Sequence, residues 1–121
     1  MTMKELFKDI LEIDGVQGTI FLSLDGKPVY TEFTSNAPDN LEVNWASLIY
    51  TLDGVKEAEL IFSNKIIFIK RSSSGYILVF MGKFALIAMV RLNCDILIPC
   101  LEKKTPKRKG LGRFFQNIIN A

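Results

Sequence analysis

The chain has 121 residues, 49% hydrophobic and 23% charged, with a formal net charge of +2, which suits one compact domain and argues against a disordered tract. It contains 0 histidines, so the usual neutral-pH general base and the usual nitrogen ligand for a metal are both missing. Up to Leu101 there are 9 basic and 12 acidic residues, whereas Glu102–Ala121 holds 6 basic and 1 acidic, so the basic balance belongs to the end of the chain.

Thr2 is placed to cap a first helix, with Glu5 three residues on completing a capping box. Leu6, Phe7, Ile10 and Leu11 form its apolar stripe, and Gly15 supplies a stop. Next, Val16, Gly18, Ile20, Leu22 and Leu24 share one parity of an extended segment, and Gln17, Thr19, Phe21 and Ser23 take the other. Asp25-Gly26 suits a type I′ turn, from which Lys27–Phe33 returns antiparallel. Pro28 cannot donate a ladder hydrogen bond, which assigns the returning strand to a sheet edge.

The polar stretch Thr34–Asn40 is a connection. Beyond it Leu41, Trp45, Leu48 and Leu52 recur at helical spacing until Asp53-Gly54 ends the pattern, and Trp45 reads as a core or interface residue. Three strands follow, Ala58–Phe62, Ile66–Arg71 and Tyr76–Met81, separated by short polar breaks that suit a meander. Both faces of the middle strand begin apolar, so helices must cover both sides of the sheet.

The last helix is expected over Phe84–Leu101, as an internal cover, with Pro99 ending or kinking it near residue 98. Arg91 and Asp95, four apart, are spaced to pair along it. Cys94 and Cys100 are separated by about 9 Å along such a helix, which disfavours a mutual disulfide and leaves them as reduced core thiols. Lys83, Arg91 and Asp95 interrupt any uncharged membrane span, and no basic leader precedes a long apolar run at the amino end. A soluble cytoplasmic protein is the expectation.

The basic stretch Lys103–Lys109 leads into Leu111, Phe114, Phe115, Ile118 and Ile119, a short one-sided helical stripe that needs something to pack against. Its own domain or dimer, a partner protein or a membrane surface would each serve. Candidate contacts of the tail are Lys103, Lys104, Lys107, Arg108, Lys109, Arg113, Phe114 and Phe115. Nucleic acid is the less favoured target, because the body of the chain is mildly acidic and no binding module frames these aromatics.

No catalytic constellation assembles. Asp14, Asp25 and Asp53 each precede glycine where segments end, so turns account for them. Gly110-Leu111-Gly112 has neither the Walker spacing nor the dinucleotide fingerprint. No catalytic residue, metal site or cofactor is assigned.

The order helix, hairpin, helix, three strands, helix resembles the roadblock/dynein light-chain family. The likeness is carried by Gly15-Val16-Gln17-Gly18-Thr19-Ile20 leading into Ser23-Leu24-Asp25-Gly26-Lys27-Pro28-Val29, and by the Ala85–Arg91 approach to the last helix. It covers about residues 3–102, so residues 1–102 form the expected domain and 103–121 a basic tail with a short amphipathic helix. The resemblance implies an α/β (α+β) fold, a five-stranded antiparallel sheet of order 2-1-5-4-3, with the first and last helices on one face and the middle helix on the other. It further implies homodimerisation through the middle helix and the strand after it, here Leu41, Trp45, Leu48, Leu52, Glu57, Glu59 and Ile61.

By the same resemblance the protein is a non-enzymatic regulator or scaffold that binds a Ras-like small GTPase, positioning the partner's switch elements. Arg71 and Arg91 are candidate charged contacts there, with salt bridging the plainer role for both. The alternative is a structural adaptor that recruits proteins to a complex or membrane surface without affecting GTP hydrolysis.

Overall fold

In the computed structural model, residues 2–34 and 44–104 are described. Their elements run α1 (Met3–Leu11), β1 (Val16–Leu22), β2 (Pro28–Phe33), α2 (Trp45–Thr51), β3 (Glu57–Ile61), β4 (Lys65–Arg71), β5 (Tyr76–Gly82) and α3 (Ile87–Lys104). The strands form one sheet of order β2-β1-β5-β4-β3, antiparallel at every pairing, as the resemblance implied. Among the described residues no helix is long and apolar enough to cross a membrane.

The capping box closes α1: Glu5 N–H donates to the Thr2 hydroxyl at 3.1 Å and Thr2 N–H donates to the Glu5 carboxylate at 2.7 Å. Two orphan donors are thereby satisfied at the helix start. Phe7 and Ile10 are buried on the helix's inner face, flanked by half-buried Leu6 and Leu11. The helix is capped at Glu12, so Gly15 is not its terminator. Gly15 instead turns the chain into β1 with φ of 93°, in a position where a Cβ would stand 2.8 Å from that of Ala85. Only a residue without a side chain meets both demands.

The two sheet faces sort by strand parity. Phe21, Phe68, Ile77, Val79 and Met81 meet Phe7 and Ile10 of α1 and Val90, Cys94, Leu97 and Leu101 of α3. On the opposite face Ile20, Leu22, Ile67, Ile69, Leu78 and Phe80 meet Ile49 of α2. Each such side chain contributes ~1.5–3 kcal/mol when fully buried, so the central strands β1, β4 and β5 carry most of the core. The buried Thr19 hydroxyl does not interrupt it, because it donates to the Leu78 carbonyl at 2.9 Å.

The structure departs from the simple sequence pattern at β1, at the hairpin and at α3. Val16 opposes Met81 and Gly18 opposes Phe80, so Gln17 is an extra residue on β1. This bulge places Val16 with Phe21 on the face of α1 and α3, whereas simple alternation put it with Ile20 and Leu22. The hairpin turn is also longer than a two-residue type I′ turn. Ser23 N–H donates to the Lys27 carbonyl and Gly26 N–H to that of Ser23, with Gly26 at φ of 89°, the pattern of a three-residue loop.

Helix α3 starts at Ile87 rather than at the expected Phe84 and runs past Pro99 to Lys104. Ala85 N–H is taken by the Gly82 carbonyl in a turn, which delays the helix. Pro99 removes only the donor that the Asp95 carbonyl would receive, and buried Leu97 and Leu101 on either side hold the helix against the sheet. Nor is α3 simply an internal cover: Val90, Cys94, Leu97 and Leu101 face inward, while Leu92 is 55% and Ile96 60% exposed. Burial pushes the Cys94 thiol up to about 12, with Asp95 adding to the shift; Cys100, expected in the core with it, is instead exposed, because it lies off the inward-facing stripe of α3.

Candidate interaction surface

The sheet ends at β3 on one side and at β2 on the other. The β2 edge is blunted by Pro28 and by a register shift that leaves Val29 unpaired between Pro28 and Tyr30. Both devices discourage addition of another strand. The β3 edge has neither, and its register opposite β4 is unbroken from Glu57 to Ile61.

The phase of that ladder follows from its two ends. Arg71 N–H donates to the Lys56 carbonyl and Phe62 N–H to the Lys65 carbonyl. Antiparallel pairs alternate between bonded and non-bonded, so Ala58 and Leu60 exchange hydrogen bonds with β4, while Glu57, Glu59 and Ile61 direct their main-chain groups outward. These are three of the residues that the resemblance assigned to a dimer interface. Their backbones form a short open template.

Their side chains take the other role. Arg91 Nε donates to Glu57 at 2.8 Å and Nη2 to Glu59 at 2.9 Å; Lys70 donates to Glu57 at 3.1 Å and pairs with Asp95 at 3.2 Å. The expected pairing of Arg91 with Asp95 along the helix is thus replaced by bonds across the sheet edge. Hydrogen bonds from Lys70 and then Arg91 hold the Glu57 carboxyl below the usual carboxylate range. The Lys70 ammonium is held above the usual lysine range, first by Glu57 and then by Asp95. The Arg91 guanidinium also lies over the Phe68 ring, 5.6 Å from its centroid.

On the other face, α2 begins at Trp45 behind an Asn44 cap whose side chain accepts from Ser47 N–H at 3.1 Å. Trp45, Leu48 and Leu52 are half-buried against Ala58, Leu60 and the buried face-two core, with Trp45 edge-on to Phe80 at 6.2 Å. They therefore lie on the sheet side of the helix, with Trp45 over Phe80 of β5 and Ala46 against Gly26 of the β1–β2 turn. Leu41 lies outside the described residues, as do Lys107, Arg108, Lys109, Arg113, Phe114 and Phe115; Lys103 is exposed at the end of α3, and Lys104 is its last residue.

Among the exposed large apolar side chains are Tyr50 of α2, 85% exposed, and Ile61 at the end of β3, 70% exposed. Tyr50 is out of phase with the Trp45, Leu48 and Leu52 stripe, so periodicity could have marked it as outward-facing. Lys70 and Asp95 could not be tied to Glu57 from spacing, because the bonds cross three elements. Arg71 is exposed on the α2 side, 5.8 Å from the Tyr76 ring centroid. It lines a 350 Å³ depression with Asp25, Asp53 and Tyr50. Asp25 there accepts from the Ser23 hydroxyl, which ties it to its turn.

No protein-family model and no curated protein matches the sequence. Solved structures do match the fold. A roadblock/LC7 domain from Streptomyces avermitilis is 17% identical, with a TM-score of 0.68 over 86% of this chain and 98% of that one. The gliding protein MglB from Thermus thermophilus is 10% identical, with a TM-score of 0.69 over 82% of this chain and 84% of that one. MglB in a tetrameric arrangement is 11% identical, with a TM-score of 0.68 over 82% and 84%. With the sheet order and helix placement described above, these likenesses establish that the chain has the roadblock/LC7 fold.

Proposed function

We infer that the protein is a homodimeric, non-catalytic regulator of a Ras-like small GTPase, assembled through the open β3 edge with α2 alongside. The observation that carries the assembly is the contrast between the two sheet edges: Pro28 and a register shift interrupt one, and an unbroken five-residue strand presents the other. Adding the β3 strand of a second copy antiparallel about a two-fold axis would give the outward groups of Glu57, Glu59 and Ile61 partners.

A pairing of this kind brings glutamates of two copies together. Like charges directly opposite across strands are destabilising. Arg91 and Lys70 answer this in advance, because each already neutralises Glu57 or Glu59 from within the same chain. The joined sheet would carry α2 of both copies on one face, as a platform for a partner.

The GTPase as partner class comes from the roadblock resemblance and is supported by the roadblock/LC7 fold the chain shares with its structural neighbours. The partner's own nucleotide and magnesium would carry any hydrolysis, and this chain would position the switch elements. Light scattering across dilution tests the dimer, for which a monomer throughout the low-micromolar range is the contrary result. Binding of a co-purified GTPase loaded with GDP or with a non-hydrolysable GTP analogue tests the regulator. Equal binding of both states with unchanged hydrolysis would assign the protein to the adaptor class instead.

A further inference from the structure

The outer side of α3 and the end of α1 frame a surface that the edge-strand dimer does not use. A groove of about 440 Å³ lies between them, lined on one side by Phe84, Leu86 and Met89 and on the other by Asp9, Glu12 and Asp14. The three apolar side chains are exposed, by 88% at Phe84 and 67% at Leu86. The apolar surface continues from Met89 along α3 through Leu92 and Ile96. Among the described residues no ion pair engages Asp9, Glu12 or Asp14. An apolar floor with an acidic wall fits a segment that is apolar on one side and basic on the other.

The chain's own end has that chemistry. Residues 105–121 follow α3 directly, with Lys107, Arg108, Lys109 and Arg113 preceding and interleaving Leu111, Phe114, Phe115 and Ile118. Reach is sufficient. At about 1.5 Å per residue Met89 lies roughly 22 Å back along the helix from Lys104. Residues 105–113, extended at about 3.3 Å each, span roughly 30 Å.

We propose that the carboxy-terminal tail folds back along α3 of the same chain and docks in this groove, Phe114, Phe115 and Ile118 on Phe84, Leu86 and Met89, with Arg113 facing Asp9, Glu12 and Asp14. Attachment in the same chain gives the tail a high effective concentration at the groove, so a short stripe that is marginal alone suffices. The tail then covers apolar surface that the body leaves open. The inference stands on one chain and does not rest on the dimer or on the GTPase.

A thiol placed in the groove reads this directly. In the full chain carrying Met89→Cys and Cys100→Ser, the single accessible thiol is at position 89, because Cys94 is buried and its thiol is pushed up to about 12. Its alkylation rate is compared with that of the same protein bearing Phe114→Asp and Phe115→Asp, and with one bearing Arg113→Glu. Circular dichroism confirms that all three are equally folded. The expected result is labelling at least about tenfold slower with the native tail, the protection that a docked segment of modest stability affords. Salt at about 0.5 M should speed labelling of the native-tail protein alone. Equal rates in all three would overturn the proposal. Protection that grows with protein concentration would overturn it in favour of a second copy, and protection seen only with anionic vesicles would do so in favour of a membrane.

Discussion

Arg91 on α3 binds Glu57 on the outermost strand at 2.8 Å, joining two residues 34 positions apart in sequence, and its second nitrogen reaches Glu59. One guanidinium thus serves both carboxylates that β3 turns toward α3. Arg91→Ala should lower the thermal midpoint by a few degrees and weaken self-association, because two carboxylates lose a shared cation at the proposed dimer seam. Arg91→Lys should restore only part of both, since an ammonium lacks the fork that reaches two acceptors at once. Thermal unfolding and light scattering on the same three proteins check this.

The pH dependence of stability should carry the mark of Glu57. Its folded carboxyl is held below the ordinary 4.5, so the folded state binds fewer protons than the unfolded one in that range. The stabilisation is complete above the unfolded value and is lost as pH falls through the lower folded value. Lys70 acts oppositely: its stabilisation is complete below 10.5 and fades as pH rises past it. Urea unfolding between pH ~5 and ~3 should therefore show a shallower loss in Glu57→Gln than in the native protein, with the curves converging at the acid end.

The edge can be tested without disturbing the core. Ile61 points its N–H away from β4, so Ile61→Pro removes a donor that only an added strand would use, whereas Leu60→Pro breaks the β3–β4 ladder itself. Ile61→Pro should remain folded by circular dichroism yet run as a monomer in light scattering. Leu60→Pro should lose ~1–3 kcal/mol of stability in chemical denaturation, the cost of leaving its β4 acceptor unpaired. A dimer that survives Ile61→Pro would place the interface elsewhere.

Two core substitutions should separate missing volume from excess volume. Phe80 is 1% exposed and packs against Phe33 and Trp45, so Phe80→Ala should cost ~3–5 kcal/mol. At Gly75 a Cβ would stand 2.1 Å from the Leu22 carbonyl oxygen, a backbone atom that cannot swing aside. Gly75→Ala should cost ~1–3 kcal/mol through overpacking, measured by the same denaturation.

Much of the architecture is legible in particular residues. Thr2 and Glu5 announce the first cap, Pro28 an edge strand, and the two apolar parities of Ile66–Ile69 a sheet covered on both faces. Val16 departs from simple alternation because a bulge adds a residue without any sequence sign that alternation can register. Pro99 does not end the helix because the cost of one lost helical bond is local, while the burial of Leu97 and Leu101 that offsets it depends on the sheet beneath. At the candidate interface, Glu57, Glu59 and Ile61 could be named from the family resemblance, but spacing alone could not tell which of their groups faces outward.

By itself, then, the sequence determined the identity and order of the elements, since periodicity, caps and turn residues act over a few neighbours. Tertiary structure alone decided what happens at β3: which backbone groups stay open, and which cations meet its carboxylates. Ladder phase is set by pairing with β4, and Arg91, Lys70 and Asp95 converge on Glu57 and Glu59 only when α3 lies across the sheet. Such long-range placement depends on the packing of the whole core, which no local pattern encodes.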